Sequence, residues 1–254
     1  MNELTLYKIV LVAFVALAVL TFLAHLVVNA PYGRHVGHPW QGPTINNQLA
    51  WLVMESPAAV LFAFYFVIGP YHDTLVGCVF FVMWESHYLY RAFFYPFRLR
   101  TGGKRMTLSV AALAFTFNVL NTYVNGRYLF TFSGGYSNRW LLDPRFLLGA
   151  LLFFAGMAMC QHSDAILRRL RQPGQSGYQI PSGGLFRWVS APNYLGAIIE
   201  WGGWALATWS IPGAAFFVWT LAKLVPRAGA HHRWYRQHFS EYPVERRALL
   251  PGIW

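Results

Sequence analysis

The sequence is short of charge: only 11% of its 254 residues are Asp, Glu, Lys or Arg, roughly half the usual globular share. Too few charges remain to cover a water-facing surface, which excludes intrinsic disorder, a coiled coil and an ordinary soluble domain. Cysteine is scarce too. Cys78 and Cys160 both lie in apolar stretches with no CxxC or metal-ligand spacing, so they read as small hydrophobes, and a disulfide scaffold is excluded. No G-x-G-x-x-G follows a strand and no G-x-x-x-x-G-K-[ST] occurs, so any nucleotide is held by something other than a Rossmann or P-loop fold. His35, His38 and the His231-His232 pair are too few for a di-iron histidine box, and no metal site is expected. The lone Lys223 sits near a helix end, a poor place for a retinal Schiff base. No repeat or low-complexity tract is present.

What is abundant is apolar surface: 56% of residues are hydrophobic and 18% aromatic, the mark of a polytopic membrane protein. Seven apolar segments predict an all-α protein of one membrane-embedded domain over 1–254, with helices at about 5–29, 47–69, 73–98, 105–125, 145–171, 193–209 and 211–226 and a C-terminal segment at 230–254. The first segment is too long for a signal-peptide core and lacks a convincing cleavage site, so it reads as a mature helix. Ile211-Pro212-Gly213 predicts a tight turn that makes a hairpin of the last two helices. The tail from His231 to Trp254 alternates aromatic and basic residues, as an interfacial helix followed by an extended end would.

The formal net charge is +11, but the basic residues lie between apolar stretches, which argues against nucleic acid and for helix orientation or an anionic ligand. Placing the C-terminus in the cytoplasm puts fifteen Lys and Arg inside, against Lys8, Arg127, Arg139 and Arg145 outside, with Arg91 within a helix. The N-terminus is therefore expected outside. Fifteen positive charges then gather on one membrane face.

Glu55, Glu85, Arg91, Asp164 and Glu200 fall within or at the ends of the spans, where a charged side chain is costly and faces the bundle interior or water. Each reads equally as a functional group or as a helix-helix hydrogen bond. Glu55 precedes Ser56-Pro57, where proline frees backbone groups at membrane depth. Glu85, Tyr88 and Arg91 are spaced by three and share roughly one helix face, with His87 beside them. A tyrosine beside a carboxylic acid makes a donor pair for a carbonyl oxygen that gains negative charge; an inter-helix hydrogen bond is the plainer alternative. Asp164, Arg168 and Arg171 occupy i, i+4 and i+7 at a cytoplasmic helix end. A positive-inside cluster accounts for them alone, whereas a second group at Arg227, His231, Tyr235 and Arg246 on the same face suits a ligand with several phosphates.

Gln161-His162-Ser163-Asp164, Leu167-Arg168-Arg169-Leu170-Arg171-Gln172-Pro173-Gly174, Ile180-Pro181-Ser182-Gly183-Gly184-Leu185-Phe186, Ile199-Glu200-Trp201, Ala205-Leu206-Ala207-Thr208-Trp209-Ser210 and the ending from Glu241-Tyr242-Pro243 to Pro251 together resemble the steroid 5-alpha-reductase family. The resemblance is dense over 146–254 and thinner before, where Tyr32-Gly33-Arg34, Ala50-Trp51 with Glu55-Ser56-Pro57, and His87-Tyr88 match. It implies a seven-helix membrane reductase that uses NADPH to saturate the 4,5 double bond of a 3-oxo steroid. By position it assigns Glu55 and Tyr88 to the 3-keto oxygen, and Tyr32, Arg34, Asp164, Arg171, Tyr178, Asn193, Arg227, His231, Tyr235 and Arg246 to the dinucleotide. Met54, Cys160, Gln179 and Ala197 stand where animal members have Gln, Asn, Arg and Glu, so part of the cofactor shell is altered.

The expected protein is a monomeric, multi-pass oxidoreductase of a bacterial inner membrane or the endoplasmic reticulum membrane, according to source. NADPH comes from the cytoplasm and a lipophilic, steroid-like enone from the lipid bilayer, with Trp51 and Trp201 as walls for its flat hydrocarbon. A reductase of polyprenol or of a long-chain enoyl thioester is the nearest alternative. Ala191-Pro192-Asn193-Tyr194-Leu195-Gly196 faintly resembles an isoprenylcysteine-type methyltransferase loop, and a seven-helix receptor or transporter would leave Glu55 with Tyr88 and the clustered arginines without a joint explanation.

Overall fold

The computed structural model describes residues 2–27, 42–99, 103, 105–170 and 177–254. Its long elements are helices: α1 Glu3–Val27, α2 Asn47–Ile68, α3 Leu75–Leu89, α4 Tyr95–Arg98, α5 Leu108–Arg127, α6 Pro144–Arg169, α7 Pro192–Thr208 and α8 Ile211–His238. Strands β1 (Thr44–Asn46) and β2 (Arg105–Thr107) pair antiparallel with Ile45 opposite Met106, beside the starts of α2 and α5. Among the described residues, Glu3–His25, Asn47–Ile68 and Pro144–Arg169 are long and apolar enough to cross a membrane. Many of their large apolar side chains, such as Val12, Val60 and Leu151, face outward, as lipid contact requires. This is a helical membrane protein.

The chain divides into two compact units, 1–14 with 31–146, and 15–30 with 147–254. In the first, α2 is central. Asn46 caps it, accepting from the Gln48 and Leu49 N–H groups. Pro57 removes the N–H that the Val53 carbonyl would accept, and the Ser56 hydroxyl donates to that carbonyl instead at 3.3 Å. The helix therefore continues through the proline. Phe66 stacks on Phe81 (4.4 Å between ring centres) and Phe62 on Trp84 (4.4 Å), which packs α3 antiparallel to α2. On the other side α5 runs parallel to α2: a Cβ on Gly126 would press on the Tyr65 ring, 3.0 Å away. The first half of α1 closes this unit against α5, with Tyr7 donating to the Val124 carbonyl at 3.0 Å and Glu3 accepting from the buried Arg127 Nε at 2.8 Å.

The third expected helix is not a single α-helix. It is α-helical to Leu89, passes through a π-turn at Tyr90–Phe94 and resumes as α4. Pro96 is the physical reason: it has no N–H for the Ala92 carbonyl and its ring crowds that oxygen. The ladder relaxes to a wider turn in which the Tyr95 N–H reaches the Tyr90 carbonyl.

In the second unit α6 and α7 lie backbone to backbone. A Cβ on Gly149 would meet the Ala207 backbone, one on Gly156 the Glu200 backbone, and one on Gly203 the Phe153 backbone, so glycine is what lets these helices approach. Between α7 and α8 the turn falls earlier than the expected Ile211-Pro212-Gly213. Trp209 ends α7 in the left-handed conformation (φ 44°), and Ser210 caps α8 by accepting from the Gly213 N–H. Pro212 then lies in the first turn of α8, where its missing N–H costs nothing. α8 also continues through Pro226 to His238, past the boundary expected near 226.

Candidate functional site

The register of α2 on α3 sets Glu55 and Tyr88 at one level. The Trp84 indole N–H donates to the Ala58 carbonyl at 2.9 Å, fixing those two residues at one level. One helical turn further, toward the start of α2 and the end of α3, stand Glu55 and Tyr88. The next turn is fixed as well. Trp51 meets Tyr95 at 5.3 Å, and the Arg91 guanidinium lies 4.4 Å from the Trp51 ring centre and 4.2 Å from that of Tyr95. Glu55 and Tyr88 are thus bracketed by observed contacts on both sides.

Their surroundings differ. Tyr88 is buried, its ring 4.8 Å from Trp84 and 4.8 Å from His87. Glu55 is half-buried and accepts from the Asn118 side-chain amide, Nδ2 to Oε2 at 3.1 Å. Glu85 is buried, and its Oε1 has no hydrogen-bond partner among the described residues. Arg91, expected to extend the stripe of Glu85 and Tyr88, is carried by the π-turn into the aromatic clamp of Trp51 and Tyr95.

Seven of the ten residues expected to hold a dinucleotide lie among the described residues of the second unit. Arg227, His231 and Tyr235 stand at i, i+4 and i+8 on one face of α8, an arrangement that exists only because the helix persists beyond Pro226. Arg227 Nε donates to the Tyr194 hydroxyl at 2.9 Å, and the Tyr194 ring lies 5.4 Å from His231. Asn193, beside Tyr194 at the start of α7, donates to Asp164 Oδ1 at 3.2 Å. Tyr235 stacks on Tyr242 (5.1 Å, 7° between planes), and Arg246 lies over Tyr242 while its Nη1 donates to the Pro181 carbonyl at 2.9 Å. Tyr178 packs on Trp234. Tyr32, Arg34 and Arg171 lie outside the described residues. Trp201 is buried between Phe153 (5.9 Å) and Phe216 (4.3 Å), and Trp51 is half-buried under Arg91.

This cluster suits an anionic ligand with aromatic rings. Arg227 and Arg246 are both more than nine-tenths buried, and Arg246 Nε is a buried donor without a hydrogen-bond partner among the described residues. A buried donor on a cation is costly to leave unmet, so the Arg246 Nε position suits an anionic acceptor. The sequence reading missed Tyr194, Trp234, Tyr242 and the buried Ser190, whose hydroxyl meets His232 Nδ1 at 2.7 Å and the Tyr242 hydroxyl at 2.6 Å. For Tyr194 and Trp234 the available signal was their position next to Asn193 and Tyr235. Among the described residues no group of three or more His, Cys, Asp or Glu could hold a metal ion.

Comparison with known proteins decides the family. The profile described as 3-oxo-5-alpha-steroid 4-dehydrogenase matches residues 104–254. The chain belongs to that family. It is 44% identical over 227 residues to 3-oxo-5-alpha-steroid 4-dehydrogenase 1 of Macaca fascicularis, covering 89% of this chain and 85% of the relative. It is 40% identical over 257 residues to a steroid 5-alpha-reductase of Gossypium hirsutum, covering 100% and 99%. Against 3-oxo-5-alpha-steroid 4-dehydrogenase 1 of Homo sapiens the identity is 41% over 236 residues, covering 91% and 89%. Membership in the steroid 5-alpha-reductase family makes the chain an oxidoreductase and places it in steroid metabolism.

Proposed function

We propose that this protein is an NADPH-dependent reductase that saturates the 4,5 double bond of a 3-oxo-4-ene steroid to give the 5-alpha product. The observation that carries the reading is the α2–α3 register, which sets a half-buried carboxyl and a buried phenol at one level in a chain of this family. Glu55, protonated, and Tyr88 each donate a hydrogen bond to the 3-keto oxygen. As the ring is reduced that oxygen takes on enolate charge, and two donors fixed on rigid helices stabilise it with little reorganisation; losing one such donor costs roughly 100- to 1000-fold in rate. Arg227 and Arg246 bind the dinucleotide's phosphates, Tyr178, Tyr194, Tyr235 and His231 supply ring surfaces and polar contacts, and Asp164 with Asn193 accepts from or donates to its sugar and amide groups. When bound, the reduced nicotinamide supplies the hydride for C5. Water supplies the proton that collapses the enolate at C4. By family position Tyr32, Arg34 and Arg171 are assigned to the cofactor as well, and Trp51 and Trp201 are the candidate steroid contacts.

The same reading has the protein act as a monomer with seven spans, the N-terminus outside and the C-terminal segment in the cytoplasm, where NADPH is found. The test is purified protein in detergent with NADPH and a 4-ene-3-ketosteroid, following nicotinamide absorbance and product mass. One NADPH consumed per steroid, with a mass gain of two hydrogens, is expected. No steroid turnover, together with reduction of a polyprenol or an enoyl thioester, would transfer the assignment to those substrates.

A further inference from the structure

A third residue acts on the proposed donor pair from α5. The Asn118 amide nitrogen donates to the Met54 carbonyl at 2.6 Å and to Glu55 Oε2 at 3.1 Å. The amide is 4% exposed and both acceptors belong to α2. Its orientation is dictated by chemistry, because the Met54 carbonyl can only accept and so the nitrogen must face α2. Both N–H groups of one amide are therefore spent on holding a single residue, Glu55, by its own carboxyl and by the carbonyl just before it.

Packing alone does not ask for this. Burying an amide between two membrane helices costs free energy unless its hydrogen bonds are made, and leucine of similar size would fill the space with no such cost. Asn118 is itself set in a polar stripe on α5, with Asn121 one turn on and the Asn125 amide donating to Asn121 Oδ1 at 3.0 Å. The contrast with Glu85 is direct: that carboxyl is more deeply buried than Glu55, yet its Oε1 meets no donor among the described residues. Only one of the two acids is oriented.

We propose that Asn118 is a positioning residue for Glu55: its amide holds Oε2 as an acceptor, so that Oε1 is the oxygen that carries the proton to the substrate ketone. This rests on the reading of Glu55 as donor to the 3-keto oxygen. A carboxylic acid with two equivalent oxygens presents its proton on either one, and on a rotatable side chain. With Oε2 fixed by an N–H donor the acid has one productive orientation, which is the preorganisation that stabilises developing charge.

Two variants separate this role from packing. Asn118→Leu keeps the approximate volume and removes the donor; Asn118→Gln keeps the donor and adds a methylene. Turnover of a 4-ene-3-ketosteroid is measured with saturating NADPH, and NADPH binding is measured separately in the same detergent to show that each variant is folded. The expected result is a kcat lowered about 10- to 100-fold in Asn118→Leu, with steroid KM and NADPH Kd within about threefold of the parent, and a smaller loss in Asn118→Gln. The bound steroid's carbonyl stretch in infrared difference spectra should move toward its value in non-hydrogen-bonding solvent in Asn118→Leu. An Asn118→Leu protein with parental kcat, or one less impaired than Asn118→Gln, would overturn the proposal, as would an unmoved carbonyl stretch. If Asn118→Leu fails to bind NADPH, the infrared shift in Asn118→Gln decides: a partial shift supports the role and none refutes it. Failure of the parent protein to reduce any ketosteroid would instead remove the functional reading itself, so the two failures are distinguishable.

Discussion

Trp84 donates its indole N–H to the carbonyl of Ala58 at 2.9 Å, and this bond sets the depth at which α3 lies against α2. Phe62, stacked on the same indole, holds the ring from above, so the donor cannot swing away without breaking an aromatic contact. The consequence lies one turn further along, where Glu55 and Tyr88 come level. A slip of one residue would rotate Tyr88 by about 100° around α3 and take it off that face. Trp84→Phe is therefore expected to keep the fold while lowering turnover about tenfold or more, through loss of a bond worth roughly 1 kcal/mol and of the register it fixes. Steroid turnover at saturating NADPH checks it, with parental turnover as the contrary result.

The two acids of this unit should respond differently to amidation. Glu85 has a buried oxygen without a hydrogen-bond partner among the described residues, whereas Glu55 is bonded to Asn118. Glu85→Gln is expected to keep turnover within about threefold and Glu55→Gln to lose at least 100-fold, the scale of one lost oxyanion donor. Equal losses in the two variants, measured as kcat, would mean that both carboxyls serve the reaction.

Cofactor binding should depend on the buried arginines more than steroid binding does. Arg246→Ala removes a cation whose Nε has no partner among the described residues and also frees the Pro181 carbonyl. NADPH Kd is expected to rise at least tenfold, with steroid KM at saturating cofactor changed less than threefold; Arg171→Ala should behave alike. Parallel weakening of both ligands would indicate a role in the fold only.

The α6–α7 contact should not tolerate a methyl group. At Gly156 an added Cβ meets the Glu200 backbone, which has no rotamer with which to retreat. Gly156→Ala is expected to cost about 1–3 kcal/mol, seen as a lower Tm in detergent. Gly177→Ala, where the space is open, is the control and should leave Tm unchanged.

Mild acid should loosen the C-terminal end of α8. Burial of His232 lowers its imidazole below the usual 6.5, and Arg236, Arg247 and Arg233 push the same way. The folded chain thus holds His232 neutral at a pH where the unfolded chain takes up a proton. Its contribution to stability is complete above about pH 6.5 and falls as pH drops below that value, until the lowered folded pKa is passed. Tm measured from pH 8 to pH 5.5 is expected to fall more steeply in the parent than in His232→Gln; identical slopes would contradict this.

Much of this was legible before any coordinates, and the exceptions have physical causes. Helical class and the membrane setting follow from charge scarcity and long apolar stretches. Arg227, His231 and Tyr235 lie close in sequence, so they could be read as one basic and aromatic group, though not as one helix face. The π-turn before Pro96 was not legible, because proline predicts a break without saying how the ladder relaxes. Nor was the extension of α8 through Pro226, since neighbours in space decide whether a proline ends a helix or is accommodated in it. Asn118 stands in the sequence as one polar residue in a largely apolar segment. Its partner lies 63 positions away in sequence, and nothing local to either residue announces the pairing.

The most direct test of the paired donors combines Glu55→Gln and Tyr88→Phe with two separate readings, NADPH binding by titration and steroid turnover at saturating NADPH. Both variants are expected to bind NADPH within about threefold of the parent and to lose turnover by at least 100-fold, the cost of one oxyanion donor. Weakened NADPH binding with parental turnover at saturation, in both variants, would place these side chains at the cofactor and contradict the account.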